Sequence, residues 1–240
     1  MEKNRFTTYL LYAVGEIVLV VIGILIAVNI NNWNVAQKNR ASEIQYLINI
    51  KSDLQIDLDN LAMLIDVRRQ KHKSTQNIIR IMNGGHINSL DTLILHINHA
   101  MGERKFKPNN TTFMELSSSG NLNLISNDSI RMLLLDLTKD YAWNMEMMEH
   151  ETFDYREYIS RSTAAYFDMN KYLPIALGEQ TAAELGVRES DFNELLNSLE
   201  YKNGVHIISD MSEYYIPLFQ EMISKSERII QHIDIELKKE

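Results

Sequence analysis

From Tyr9 to Ile30 the chain reads YLLYAVGEIVLVVIGILIAVNI, a stretch with a single ionisable residue, Glu16. A helix rises about 1.5 Å per residue, so roughly 20 apolar residues cross the ~30 Å hydrocarbon layer of a membrane. This run meets that length, and it constrains the whole chain. Whatever folds after it is expected to hang from a transmembrane helix over 9–30, preceded by a short N-terminal tail over 1–8. The run is longer than the apolar core of a secretory signal and lacks a small-x-small cleavage site before Asn29, which favours an uncleaved anchor. Tyr9 and Tyr12 at one end and Trp33 at the other have the placement of interfacial anchors. Lys3 and Arg5 before the span nearly balance Lys38 and Arg40 after it. The short tail and large following body therefore set the expected topology. That topology is single-pass in the cytoplasmic (inner) membrane, N-terminus inside, with the domain over 31–240 in the periplasm.

Glu16 lies close to the middle of the run, where a charge is costly and acids face a partner or a water-filled path rather than lipid. Gly23 and Ala27 follow at seven and eleven residues and share its helix face. Gly23-x-x-x-Ala27 is a pair of small residues of the kind that lets two membrane helices approach closely. A carboxyl there can hydrogen-bond across a homodimer, pair with a cation on another membrane protein, or serve a proton path. The bland alternative is a feature of insertion or assembly without chemistry. The expected partners are the lipid bilayer and, through this helix, a second copy or another membrane protein.

The remainder has the composition of a globular body. Charged residues are 23% and hydrophobic ones 45%, and the mean hydropathy of −0.23 fits one span attached to a soluble domain. The net charge of −8, with no basic stripe, argues against nucleic-acid binding. The densest basic run, Arg68-Arg69-Gln70-Lys71-His72-Lys73, reads as a solvated helix face. There is no cysteine, which removes disulfides, thiolate metal sites and cysteine nucleophiles together.

Three prolines and nine glycines punctuate 240 residues, and apolar residues recur at helical spacing throughout, so the fold class is all-α. Ile44, Leu47, Ile50, Leu54, Leu58, Leu61 and Ile65 step by three and four. No glycine or proline separates them from the span, so this helix is expected to run on from the membrane to Asn83-Gly84-Gly85. Ser89 caps a short helix bearing Leu90, Leu93, Ile94 and Ile97. A second short helix covers 112–118. Its turn, Glu115-Leu-Ser-Ser-Ser119-Gly120, delivers Leu122, Leu124 and Ile125 inward. Asn127 or Asp128 caps a long helix reaching to about Phe167, with Glu146, Glu149, Glu151 and Asp154 as its solvated side. Residues 170–204 hold short helices broken by Pro174, Gly178, Gly186 and Gly204, with a capping box at Thr181–Glu184 and an N-cap at Ser190. A last helix carries Ile208, Met211, Tyr215, Leu218, Met222, Ile229 and Ile233, kinked or broken at Pro217. Three long helices and several short ones predict an antiparallel helical bundle.

Two blocks are distinctive as strings. Tyr12-Ala-Val-Gly-Glu16 through Ala27, followed by Asn31-Asn-Trp-Asn34, resembles the N-terminal signature of a family of uncharacterised single-span membrane proteins common in the Bacteroidota. Thr112-Phe-Met-Glu-Leu-Ser-Ser-Ser-Gly-Asn-Leu-Asn-Leu-Ile125, with Arg131 after it, is similar to that family's middle motif. Residues 145–240 match only in helical character. The chain departs from the pattern in its short, mildly basic tail and in Val35, where the family has an acid. The resemblance implies an inner-membrane anchor with a helical body outside. It supplies no activity, so it adds no catalytic residues.

No constellation points to catalysis, and none to a cofactor or metal. His86, His96 and His99 are close in sequence but lack the spacing of a closed metal site. The serines before Gly120 have hydroxyls and amides that suit an anion, but no base is near in sequence. The bland reading is a helix cap and turn. Trp143, Met145, Met147 and Met148 read as packing. The expected function is therefore a membrane-anchored interaction module, a scaffold or accessory subunit, and not an enzyme. One alternative is a sensory, ligand-binding bundle that signals through a partner. The other is a proton-responsive coupling subunit that uses Glu16.

Overall fold

A computed structural model describes residues 3–239, with side chains from residue 10 onward. The described residues form helices joined by loops and contain no strand, so the chain is all-α. Helix α1 spans Lys3–Met82 without interruption, 80 residues and about 120 Å long at ~1.5 Å per residue. The apolar run and the first helix of the body are thus one rod, as the missing glycine and proline predict. It stops at Asn83-Gly84-Gly85. Helix α2, Leu90–Met101, starts at Ser89, whose hydroxyl accepts from the Thr92 amide.

The chain then descends alongside α1 as an extended segment and helix α3, Thr111–Ser118. A 3₁₀ turn over Leu122–Leu124 follows. Helix α4, Asp128–Asp154, is capped by Asn127, which accepts from the amides of Ser129 and Ile130. It runs through a π-helical stretch, Tyr155–Ser160, into α5, Arg161–Tyr166, so the expected long helix is present with one local widening. Short helices α6 (Met169–Ala176) and α7 (Asn193–Asn197) lead to α8, Leu199–Leu237.

The three long helices share one sequence rule. On α1 the buried seam is Glu43, Leu47, Ile50, Leu54, Asp57, Leu61, Leu64, Arg68, Lys71, Thr75 and Ile78, with Ile65 and Ser74 buried beside it. On α4 they include Ile130, Leu134, Leu137, Tyr141, Asn144, Met148 and Glu151. On α8 they run from Tyr201 through Val205, Ile208, Ser212, Tyr215, Phe219, Met222, Ser226, Ile229 and Ile233 to Glu236. Every step is three or four residues. This is the heptad period, which keeps one seam facing its neighbours and packs helices at shallow angles. Contacts along the rods fix their directions. Glu43 meets Ser126, Asp57 meets Tyr141 and Arg68 meets Glu151, so α1 and α4 run parallel. Lys51 meets Asp234 and Gln76 meets Ser209, so α8 runs antiparallel to α1. The layer formed by α2, the extended segment and α3 also runs antiparallel to α1, which completes an up-down-up-down body. Phe106 from the extended segment inserts between Tyr141 and Phe219, with ring centroids 5.5 and 6.4 Å away.

Several local expectations change. Asp57, rather than Leu58, occupies the core position on α1. Gly204 does not break a helix; it lies inside α8, where the chain passes so close to the π-helical stretch that a Cβ would stand 2.5 Å from Tyr158 Cβ. Pro217 also lies within α8, at an exposed position off the seam, and the helix continues past it. Pro174 sits inside α6, which closes at Gly178. Thr181 and Glu184 make the reciprocal bonds of a capping box around a turn rather than a helix. The turn at 189–192 is capped by Arg188, not Ser190.

Candidate functional site

Two regions stand apart from ordinary packing: the apolar part of α1 and a charged layer inside the body. From Leu10 to Asn39 every side chain is exposed, on all sides of the helix. The window that qualifies as a membrane span has a mean hydropathy of 2.7 and no share of it is buried. This helix is long and apolar enough to cross a membrane, and it is not the core helix of the body. Glu16, Gly23 and Ala27 lie along it, and nothing approaches within 4 Å of the place a Cβ on Gly23 would take. Tyr12 and Trp33 are exposed near its ends, while the side chain of Tyr9 lies outside the described residues.

The body begins abruptly at Arg40. Its guanidinium donates to Glu43 at 2.8 Å and to the Glu236 carbonyl at 3.1 Å. Glu43 also accepts from the amide and hydroxyl of Ser126, both at 2.6 Å, and Asn127 donates to Glu236 at 3.0 Å. Burial works to raise the Glu43 carboxyl, but these hydrogen bonds outweigh it and hold it below the ordinary value. The start of α4 and the end of α8 are thereby clamped to α1 by Arg40 and Glu43, within four turns of Ile30. The body cannot swing freely on a linker.

At the predicted turn motif, side chains bond back onto the fold. Ser118 and Ser119 turn their hydroxyls back onto the carbonyls of Glu115 and Leu116. Glu115 itself accepts from Tyr46 at 3.4 Å. Gly120 takes φ +72°, a left-handed conformation that suits glycine at a helix C-terminus. The Ser118 and Ser119 hydroxyls are therefore spent on their own helix.

The charged layer was not legible as such. Arg68, Lys71 and Glu151 are 3%, 4% and 7% exposed, so neither the basic run nor the acidic side of α4 is uniformly solvated. Arg68 grips Glu151 at two points, with Nη2 to Oε2 at 2.6 Å. Its guanidinium stands 4.3 Å from the Tyr215 ring centroid. Lys71 donates to the Gly102 carbonyl at 3.0 Å and lies 3.5 Å from Glu151. Burial pushes the Glu151 carboxyl up, yet hydrogen bonds and charge from Arg68 overcome it and leave it below the usual range. Burial presses the Lys71 ammonium down, only partly offset by Glu151.

Thr75, Thr152, Ser209 and Ser212 are buried as well, within two turns along the three rods of Lys71, Glu151 and Tyr215. Together they form a polar waist between two apolar cores. One core extends from Leu47 to Ile65 on α1 and includes Met148 and Tyr215. The other gathers around Ile78, Ile159, Val205 and Ile208. A charge pair at such a depth adds little net stability over apolar residues, but it accepts only one register of the helices around it.

Other polar groups are likewise committed to holding elements together. Asp53 and Asp57 accept from Asn109 and Thr112, and Tyr141 donates to Asp57 at 2.8 Å, pinning the extended segment to α1. The enclosed space beside them, about 20 Å³, has room for one water molecule. Gln70, His99, Ser74 and His96 form a chain with links of 3.0, 3.0 and 3.2 Å. With the Gln70 amide donating to His99 Nε2, His99 Nδ1 donates to Ser74 and Ser74 donates to His96. The two histidines thus tie α2 to α1, while His86 offers its carbonyl to Arg80. Among the described residues no group of three or more His, Asp or Glu gathers in metal-binding geometry. Met148 is buried, whereas Trp143 and Met145 are about half exposed on the outer side of α4.

No curated protein and no solved structure matches the chain. A family model does, over residues 16–203, well over half of its length and including Glu16, Arg68, Lys71 and Glu151. The chain belongs to the family of unknown function DUF6090.

Proposed function

We propose that this protein is a membrane-anchored helical interaction module, a scaffold or accessory subunit whose work is contact rather than catalysis. One observation carries the reading: a single unbroken helix is uncovered over 10–39 and apolar as far as Ile30, then becomes the central rod of a clamped bundle. A helix apolar on all sides belongs in lipid. Its direct fusion to the body transmits position without a flexible joint. The charged groups of the clamp and the waist are occupied with each other, which favours a structural role. In this reading the span lies in the cytoplasmic membrane, the N-terminus is inside and the body is periplasmic. Glu16 then meets a partner in the bilayer, a second copy or another membrane protein. Its cost in lipid also favours one alternative, a proton-responsive coupling subunit.

The chain has no cysteine, so a single cysteine at Gly23 reports neighbours cleanly in native membranes. A self-adduct or an adduct to one other membrane protein is expected. With Glu16→Gln, an adduct that persists supports packing without chemistry, and loss of a hetero-adduct makes Glu16 the selecting contact. Absence of any adduct at Gly23 and at the adjoining span positions contradicts a role in contact through this helix.

A further inference from the structure

We infer that α2 is fastened to α1 by a two-histidine latch that opens on acidification while α8 stays in place. Two turns of α1 bond to a helix on either side. Gln70 and Ser74 reach His99 and His96 of α2, while His72 and Gln76 reach Ser209 of α8. The two sides differ in what they ask of a histidine. His72 Nδ1 donates to the Ser209 carbonyl at 3.1 Å, and the Ser209 hydroxyl lies 3.3 Å from the same atom. A carbonyl only accepts, so that bond needs an N–H and is kept when the ring takes a second proton. On the α2 side one hydroxyl stands between two ring nitrogens, 3.0 Å from His99 Nδ1 and 3.2 Å from His96 Nδ1. With His99 donating, the single Ser74 proton goes to His96, whose Nδ1 must be bare. A proton on that nitrogen turns the acceptor into a donor. The Ser74 hydrogen is then displaced at a residue only 2% exposed.

The surrounding charges make an imidazolium costly here. Burial comes first and holds both rings below the ordinary histidine value; on His96, His99 itself and Lys73 and Arg80 of α1 act in the same direction. Two imidazolium charges sharing one oxygen would also stand about 6 Å apart or closer. The carboxylates at the ends of α2 are engaged elsewhere. Asp91 accepts from the Ala182 amide at 2.6 Å, and Glu103 accepts from Thr152 at 2.6 Å and pairs with Lys105. From α6, Tyr172 donates to Asn98, and Lys171 acts on Asp191. From the π-helical stretch, Glu157 pairs with Arg161 and Arg156 acts on Glu103. The fold thus favours neutral rings. What the latch contributes to stability is full above about pH 6.5 and is lost as pH falls through the depressed values. Because α2 ends at Gly102, whose carbonyl accepts from Lys71, opening also slackens the segment that carries Phe106.

The test follows amide hydrogen exchange of the full chain in detergent micelles at about pH 7.5 and about pH 5.5, read as protection factors. Amides over 93–101 are expected to lose at least ~10-fold in protection at the lower pH, while those over 208–212 change less than ~2-fold. His96→Asn with His99→Asn keeps an acceptor and a donor near the Nδ1 positions but takes no proton, and in it the loss at α2 disappears. Equal loss in both helices, no loss at α2, or a loss that persists in the double variant overturns the inference. If the double variant already lacks protection at the higher pH, imidazole titration of the parent by NMR decides. Midpoints for His96 and His99 below the ordinary ~6.5, with α2 opening on the same curve, support the latch, and midpoints at or above it overturn it.

Discussion

Glu151→Ala lowers the stability of the detergent-solubilised protein by about 3–5 kcal/mol, because it strands Arg68 and Lys71 inside the bundle. The magnitude comes from the orphaned cations, not from the strength of the pair itself. Arg68 is nearly fully buried and has no other carboxylate at two-point distance, while Lys71 keeps only the Gly102 carbonyl and a more distant Glu103. A second variant separates the two explanations. Arg68→Met with Glu151→Leu removes the close pair and fills the space while Lys71 keeps only the Gly102 carbonyl, so stability recovers the share lost by stranding Arg68 and stays below the parent by the share owed to Lys71. Chemical denaturation followed by helical circular dichroism measures both. A single variant that unfolds no more easily than the parent contradicts a closed waist. A double variant that stays as unstable as the single one shows that something besides the stranded charge was lost. If the waist sets register, the double variant also loses specificity, visible as broadened amide resonances at unchanged helical content.

Gly204→Val has a comparable effect for an opposite reason. Alanine and valine are better helix formers than glycine by up to ~1 kcal/mol, so propensity alone predicts a more stable α8. The close approach reverses the sign. A Cβ at position 204 would lie 2.5 Å from Tyr158 Cβ and 3.1 Å from Ile159 Cδ1. The first of these atoms is fixed to backbone, in a stretch already widened to π-helical form. Two rods must separate by more than half an ångström to admit it, and overpacking of that kind costs about 1–3 kcal/mol, with valine at the upper end. Thermal melting of Gly204→Ala and Gly204→Val should show a graded loss. A rise in stability for either would mean that the contact between α8 and the π-helical stretch is looser than described.

These two sites mark where the sequence was legible and where it was not. Helix starts and stops were read well because they depend on local chemistry: Ser89 and Asn127 as caps, Gly84-Gly85 and Gly120 as ends. The continuity of α1 was visible for the same reason. What failed was deciding which polar residues face inward. Ile44 and Leu58 drew the eye to apolar character, whereas the strict alternation of three and four steps from Leu47 leads to Asp57, then Arg68 and Lys71. Followed without regard to polarity, that spacing places charges in the seam of α1, and the same count on α4 reaches Glu151 from Met148. Each helix taken alone makes such residues look solvated. Only their meeting across three rods makes burial tolerable. Gly204 was misread because a glycine flanked by short elements signals a break, and the demand for close approach comes from Tyr158, far away in sequence.

The measurement that tests the central claim most directly is a single-cysteine accessibility scan along residues 10–45 in intact membranes, using a membrane-impermeant maleimide. If α1 is a membrane anchor that rises directly into the body, labelling is blocked through the apolar run and returns beyond Trp33, with the protein retained after alkaline extraction. Uniform labelling across the run, with the protein released into the soluble fraction, would contradict it.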